Sequence, residues 1–148
     1  MPHYCSPEQG PPVPPYDPQA SEDAGTSHLK RILVVEDEFF VSMEIEAALK
    51  GAGHLVIGVA TSADEAVALA ATALPDLILM DIRLHGKKDG VEAAIEIKRR
   101  LGIRSLFVSA HMDASTRERA QSADPVGWLL KPFSSQRLLD AVRSALEK

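Results

Sequence analysis

The 148-residue sequence has a single cysteine, Cys5, only 5% aromatic residues and no surplus of basic charge. One cysteine gives no disulfide framework. No apolar run approaches the roughly 18 residues of a membrane span, and the N-terminus lacks a basic stretch followed by an apolar one. The expected compartment is therefore the cytoplasm, with no membrane partner. Lys and Arg number 16 against 21 Asp and Glu, a net charge of −5. With few aromatics as well, the footprint of a nucleic-acid binder is missing, and no nucleic-acid partner is expected.

The charge and the prolines are unevenly placed. Residues 1–28 contain Glu8, Asp17, Glu22 and Asp23 with no Lys or Arg, which leaves 17 acidic against 16 basic residues in the remainder. Seven of the ten prolines (Pro2, Pro7, Pro11, Pro12, Pro14, Pro15 and Pro18) fall in the same stretch. With almost no aliphatic side chains it cannot offset the entropy of ordering, and it reads as a disordered Pro-rich tail. Residues 29–148 form the expected folded domain, long enough to bury roughly two thirds of the surface of its unfolded chain around one core.

Within that domain short apolar runs alternate with helical patterns. The runs Ile32 to Val35, Leu55 to Ala60, Leu77 to Met80, Leu106 to Val108 and Trp128 to Leu130 are too short for helices and suit buried strands. Between them come single apolar stripes of helical period: Val41, Ile45, Ala48 and Leu49; Ala63, Ala66, Val67 and Ala70; Val91, Ala94 and Ile95; Leu138, Val142 and Ala145. Ser62 with Glu65, and Ser115 with Glu118, have capping-box spacing, and Gly51, Pro75 and Gly102 follow helical segments. Five strands each followed by a helix predict an α/β fold: a doubly wound, five-stranded parallel sheet with helices on both faces. The segment Ser115 to Ala123 stands apart, because its only apolar side chains are Ala120 and Ala123. It reads as a helix free to move or meet a partner, or as a plain solvated surface helix.

In such a sheet functional groups collect beyond the carboxyl ends of the strands. There stand Glu36 and Asp37 after the first run, Asp81 after the third, Ser109 after the fourth and Lys131 after the fifth. Any one of these alone is most simply a cap or a solvated loop residue. Together they differ, because neighbouring carboxylates raise one another's pKa unless a cation compensates, and an all-oxygen ligand set suits Mg²⁺.

These residues, with Ile-Leu-Val-Val before Glu36-Asp37-Glu38, Leu-Ile-Leu-Met before Asp81, Asp89-Gly90, Phe-Val-Ser109-Ala110 and Lys131-Pro132-Phe133, resemble the receiver domain of two-component response regulators over Arg31 to Lys148. The resemblance implies a flavodoxin-like sheet of receiver type. It makes Asp81 the phosphoacceptor, and Glu36 and Asp37 the acidic pair that holds Mg²⁺ with it, the backbone carbonyl of Arg83 completing the protein ligands. Ser109 corresponds to the hydroxyl that binds the phosphoryl group, and Lys131 to the lysine that pairs with it. Small Ala110 leaves the approach to Asp81 open. The Lys131-Pro132 peptide corresponds to one usually cis in the family, the alternative being a trans turn opening the last helix.

The implied function is a phosphorylation-controlled switch, catalytic only in promoting its own modification and hydrolysis. Its implied partners are a histidine kinase or histidine phosphotransfer protein and an unidentified downstream protein, with a homodimer through the fourth-helix, fifth-strand and fifth-helix face as a further arrangement. Two departures stand out. Trp128 replaces the family's usual tyrosine or phenylalanine and admits either a switching or a fixed packing role. Leu84-His85 replaces the common Met-Pro in a loop one residue longer, of the Leu-x-Gly-x-x-Asp-Gly subtype. Arg83 and His111 occupy positions that in the family flank the phosphoryl group. His85 and His111 are not read as metal ligands, because the oxygen-rich site suits a hard ion. Lys87-Lys88 and Lys98-Arg99-Arg100 read as solvated faces.

Two other classes fit less well. A small Mg²⁺-dependent phosphohydrolase would bring a second acid two residues after its nucleophile, where Arg83 stands, and a substrate cap. A nucleotide-binding domain would need a glycine-rich loop where Glu36-Asp37-Glu38 stands. The sequence stops soon after its fifth helical pattern, and the expectation is a single-domain receiver, either standing alone or as a fragment.

Overall fold

The computed structural model describes residues 29–148; the expected Pro-rich tail, residues 1–28, lies outside the described residues. Five strands alternate with five helices: β1 Arg31–Val35, α1 Phe39–Gly51, β2 Leu55–Ala60, α2 Ala63–Ala73, β3 Leu77–Asp81, α3 Gly90–Leu101, β4 Ser105–Ser109, α4 Ala114–Ala120, β5 Gly127–Leu130 and α5 Ser135–Leu146. All strand pairs are parallel, in the order β2-β1-β3-β4-β5. This is the doubly wound fold expected from the alternation.

The order explains where the helices lie. The chain steps outward from β1 to β2, then reverses and runs β3, β4, β5 in the other direction. Right-handed crossovers put the connection before the reversal on one face and those after it on the other. Accordingly Ile45 and Leu49 of α1 join Leu138 and Val142 of α5 over Ile32, Val34, Leu77, Leu79, Leu106 and Val108. Ala66 and Ala70 of α2, Val91, Ala94 and Ile97 of α3, and Ala120 pack on Leu33, Val35, Ile78, Met80 and Phe107. The reversal lies between β1 and β3, which opens a crevice beyond their carboxyl ends.

The central strands β3 and β4 are buried along their whole length, whereas the edge strand β2 buries only Ala60 fully. Ser62 caps α2 as its spacing predicts, its hydroxyl accepting from the Glu65 N–H at 3.2 Å. The predicted cap at Ser115 is displaced: Asp113 caps α4, its carboxylate accepting from the Thr116 N–H at 2.8 Å and from the Ser115 hydroxyl at 3.1 Å. A carboxylate is an equally good capping acceptor and stands one residue before the helix starts. The segment expected as a helix to Ala123 is α-helical to Ala120 and ends in a 3₁₀ turn, Gln121–Ala123. Gly51 is the last residue of α1 rather than the residue after it, and the αL conformation expected of a helix stop is taken by Gly102 after α3 and Leu74 before Pro75.

Candidate functional site

The strand ends deliver five side chains to one cleft. Glu36 and Asp37 follow β1 directly. Asp81 and Ser109, expected just beyond their strands, are the terminal residues of β3 and β4, so the ladders themselves hold their backbones. Lys131 follows β5, its N–H donating to the Ser109 carbonyl at 2.8 Å. The cleft, about 480 Å³, is lined by Asp37, Asp81, Arg83, Ser109, Ala110 and Lys131 among others.

Glu36, Asp37 and Asp81 each present an oxygen within 4.8 Å of the others. Glu36 lies deepest, 1% exposed, and Asp81 is 5% exposed. The Lys131 ammonium reaches both, 2.8 Å from Glu36 Oε2 and 3.5 Å from Asp81 Oδ2. Burial, and then the charge of Glu36, push the Asp81 carboxyl up to about 7, against the pull of Lys131. Burial alone would lower the Lys131 pKa, but its hydrogen bond to Glu36 and the Asp81 charge hold it above its ordinary value. One ammonium that reaches two of the three acids leaves the cluster short of positive charge. That deficit, with oxygen the only donor type in the set, fits a hard divalent cation such as Mg²⁺.

The remaining candidates are placed as follows. Arg83 is exposed on the cleft rim, and its backbone N–H donates to Asp81 Oδ1 at 3.3 Å. The Ser109 side chain, buried beside the cleft, is tied to His111: its hydroxyl donates to the His111 carbonyl at 2.8 Å and accepts from the His111 N–H at 3.1 Å. The Lys131–Pro132 peptide is cis, as the resemblance implies. Trp128 is half-buried, its ring 4.9 Å from that of Phe107, with the Arg117 guanidinium 5.0 Å above its centroid.

Sequence reasoning missed two contacts at the site. His85, set aside as a ligand, places both its backbone N–H and its ring Nδ1 against Asp37 Oδ2. Asp89, seen only as part of a motif, caps α3 by accepting from the Glu92 N–H at 3.0 Å and also pairs with Arg119. The Asp-x-x-Glu spacing of Asp89 and Glu92 was a readable signal for the cap. Nothing local to Arg119 pointed 30 residues back.

Residues 32–143 match the response regulator receiver domain family. The chain belongs to that family. It is 32% identical over 126 residues to the transcriptional regulatory protein PdtaR of Mycobacterium tuberculosis, covering 85% of this chain and 61% of that protein. It is likewise 32% identical over 130 residues to the phyllosphere-induced regulator PhyR of Methylorubrum extorquens, covering 86% and 48%. The chain thus spans about half to three fifths of the length of these relatives. Among solved structures, the signal receiver domain of a modulated diguanylate cyclase from Desulfovibrio desulfuricans G20 superposes with a TM-score of 0.74 at 32% identity, covering 80% of this chain and 94% of that one. The response regulator domain of Thermotoga maritima CheB gives 0.73 at 28% identity, covering 81% and 98%. The receiver acts in two-component signal transduction, and its class is that of phosphorylation-dependent switches.

Proposed function

We propose that residues 29–148 are a receiver domain that accepts a phosphoryl group on Asp81 from a protein phosphohistidine, with Mg²⁺ held by Glu36, Asp37, Asp81 and the Arg83 carbonyl. The observation that carries this reading is Asp81 at the end of β3, among two further acids and within 3.5 Å of the Lys131 ammonium. A carboxylate oxygen of Asp81 attacks phosphorus in line, the phosphorus–nitrogen bond breaks, and the imidazole leaves with a proton from solvent. Lys131 and the Ser109 hydroxyl take up charge on the equatorial oxygens, so no general base is required. Mg²⁺, when bound, neutralises the acidic cluster and the incoming phosphoryl oxygens.

Phe39 and Phe40, 69% and 78% exposed on the first turn of α1 just past Asp37, mark where we place the approach of the phosphodonor protein. The face of α4, β5 and α5, with Leu130 exposed at the strand end, is the proposed surface for the downstream protein or a second copy. No helix of the described residues is long and apolar enough to cross a membrane, and we place the protein in the cytoplasm.

Intact mass after incubation with acetyl phosphate tests the assignment. The expected result is one phosphate, absent in chelator and absent in Asp81→Asn. An adduct that persists in Asp81→Asn, or forms equally in chelator, overturns it.

A further inference from the structure

α4 is held in an unusual way. Of its seven residues only Ala120 is buried, joined by Ala123 in the turn that follows. A helix with one buried methyl group gains little from the hydrophobic effect. What fixes it is polar. Arg119 makes a two-point pair with Asp89, Nη2 to Oδ2 at 2.7 Å and Nη1 to Oδ1 at 3.2 Å, the planar fork matching the carboxylate.

The other end of that pair leads to the phosphorylation site. Asp89 is the N-cap of α3, and the next residue, Gly90, is pressed against the backbone of Asp81. A Cβ on Gly90 would lie 1.9 Å from the Asp81 carbonyl oxygen, and the Gly90 N–H donates to the Ile82 carbonyl at 2.8 Å. The start of α3 therefore has no slack relative to the residue that carries the reacting carboxylate. Partial burial works to raise the Asp89 pKa, but the Arg119 guanidinium and the Glu92 N–H hold its carboxyl below the ordinary range, so the pair stays charged across neutral pH.

We propose that Arg119 is a positioning residue for the phosphoacceptor: through Asp89 and Gly90 it couples the seating of α4 to the backbone of Asp81. The inference rests on the reading of Asp81 given above. It makes the coupling of the two placements reciprocal: whatever shifts the loop from Asp81 to Asp89 loosens α4, and whatever lifts α4 off Asp89 shifts the backbone that carries Asp81.

A double-mutant cycle tests it, using Arg119→Gln, Asp89→Asn and the two combined, with Arg119→Lys as the conservative variant. Asn keeps a side-chain acceptor for the α3 cap, and Arg119 is 44% exposed, so the fold is preserved. The rate of Asp81 labelling by acetyl phosphate at saturating Mg²⁺ is one readout. Amide exchange of residues 90–94 and 114–123 in the unphosphorylated protein is the other. Each single variant should change the labelling rate roughly two- to five-fold, the range an exposed ion pair can supply. The combined variant should do no more than either alone, and Lys should fall between Gln and the wild type. Exchange should rise at both segments in Arg119→Gln, although the substitution lies only in α4. Labelling effects that multiply in the combined variant, or exchange that rises in α4 alone, overturn the coupling. A wild type that is never labelled refutes the phosphoacceptor assignment instead, while the exchange arm still decides whether Arg119 holds the start of α3.

Discussion

The Lys131 ammonium is bound more closely to Glu36, at 2.8 Å, than to Asp81, at 3.5 Å. In the unphosphorylated protein this lysine thus has a structural duty, compensating a carboxylate that is 1% exposed. Removing it leaves that charge buried without its partner. Lys131→Met should destabilise the fold by about 3–5 kcal/mol, and adding Glu36→Gln should recover most of the loss. Labelling of Asp81 by acetyl phosphate should stay slow in both variants, by roughly 100-fold, because the ammonium is missing when charge develops on the phosphoryl oxygens. Urea unfolding and labelling rates check the two halves separately. If the double variant regains labelling along with stability, Lys131 has only the structural role.

Asp81 gives a second expectation, with a definite sign. Its carboxyl is raised to about 7, chiefly by burial and then by Glu36. A group whose folded pKa lies above its unfolded value binds its proton more tightly in the folded state. Its contribution to stability is full below the unfolded pKa of about 3.9 and is lost as pH climbs towards 7. In chelator, Asp81→Asn should therefore be more stable than the wild type, with a gap on the order of 2 kcal/mol wider at pH 8 than at pH 5. Mg²⁺ should close the gap at pH 8 by stabilising the wild type alone. Urea titrations at the two pH values decide it, and a gap that ignores both pH and Mg²⁺ would remove the electrostatic account.

What could be read from the sequence follows from what is local. Val-Val before Glu36 and Leu-Met before Asp81 are runs that must be buried on both sides, and alternating them with single-stripe helices leaves the parallel sheet as the compatible architecture. Each acid then falls at a strand end by counting along the chain. The contacts that tune the site are not local. Lys131 meets Glu36 across 95 residues and Arg119 meets Asp89 across 30, and no periodicity links such partners. The Ser115 cap was misplaced for a related reason, since Asp113 and Ser115 are both good caps and only the path of the backbone after β4 chooses between them.

Trp128 is the only tryptophan in the sequence and reports on the α4 side of the domain. Its indole is backed by Phe107, which is fully buried, and covered by Arg117. Arg117→Ala should shift its emission while costing about 0.5–1 kcal/mol, the worth of an exposed cation–π contact. Phosphorylation of Asp81 should also shift the emission if the indole takes part in switching. A response to Arg117→Ala with none to phosphorylation assigns Trp128 a fixed packing role.

Arg83 and His111 line the cleft with Asp81, and we propose that they set the lifetime of its phosphoryl group. Neither is a carboxylate or carboxamide that readily orients an attacking water. Arg83 is exposed on the rim while its own N–H holds Asp81 Oδ1, so its guanidinium is free to fold over the phosphoryl oxygens and pair with two of them. The backbone of His111 is committed to the Ser109 hydroxyl through both its N–H and its carbonyl. That anchors its Cα and fixes the distance from which its imidazole can reach a water. Slow hydrolysis shielded by Arg83 is the expected behaviour, and Arg83→Ala should shorten the lifetime by roughly ten-fold, the loss of one charge-assisted pair. If the imidazole instead accepts a proton from water, His111→Ala should lengthen the lifetime. Timing phosphate loss in the wild type and both variants separates the roles. Unchanged rates in Arg83→Ala would show that the guanidinium does not cover the group, and unchanged rates in His111→Ala would show that the His111 backbone, in holding Ser109, is its whole contribution.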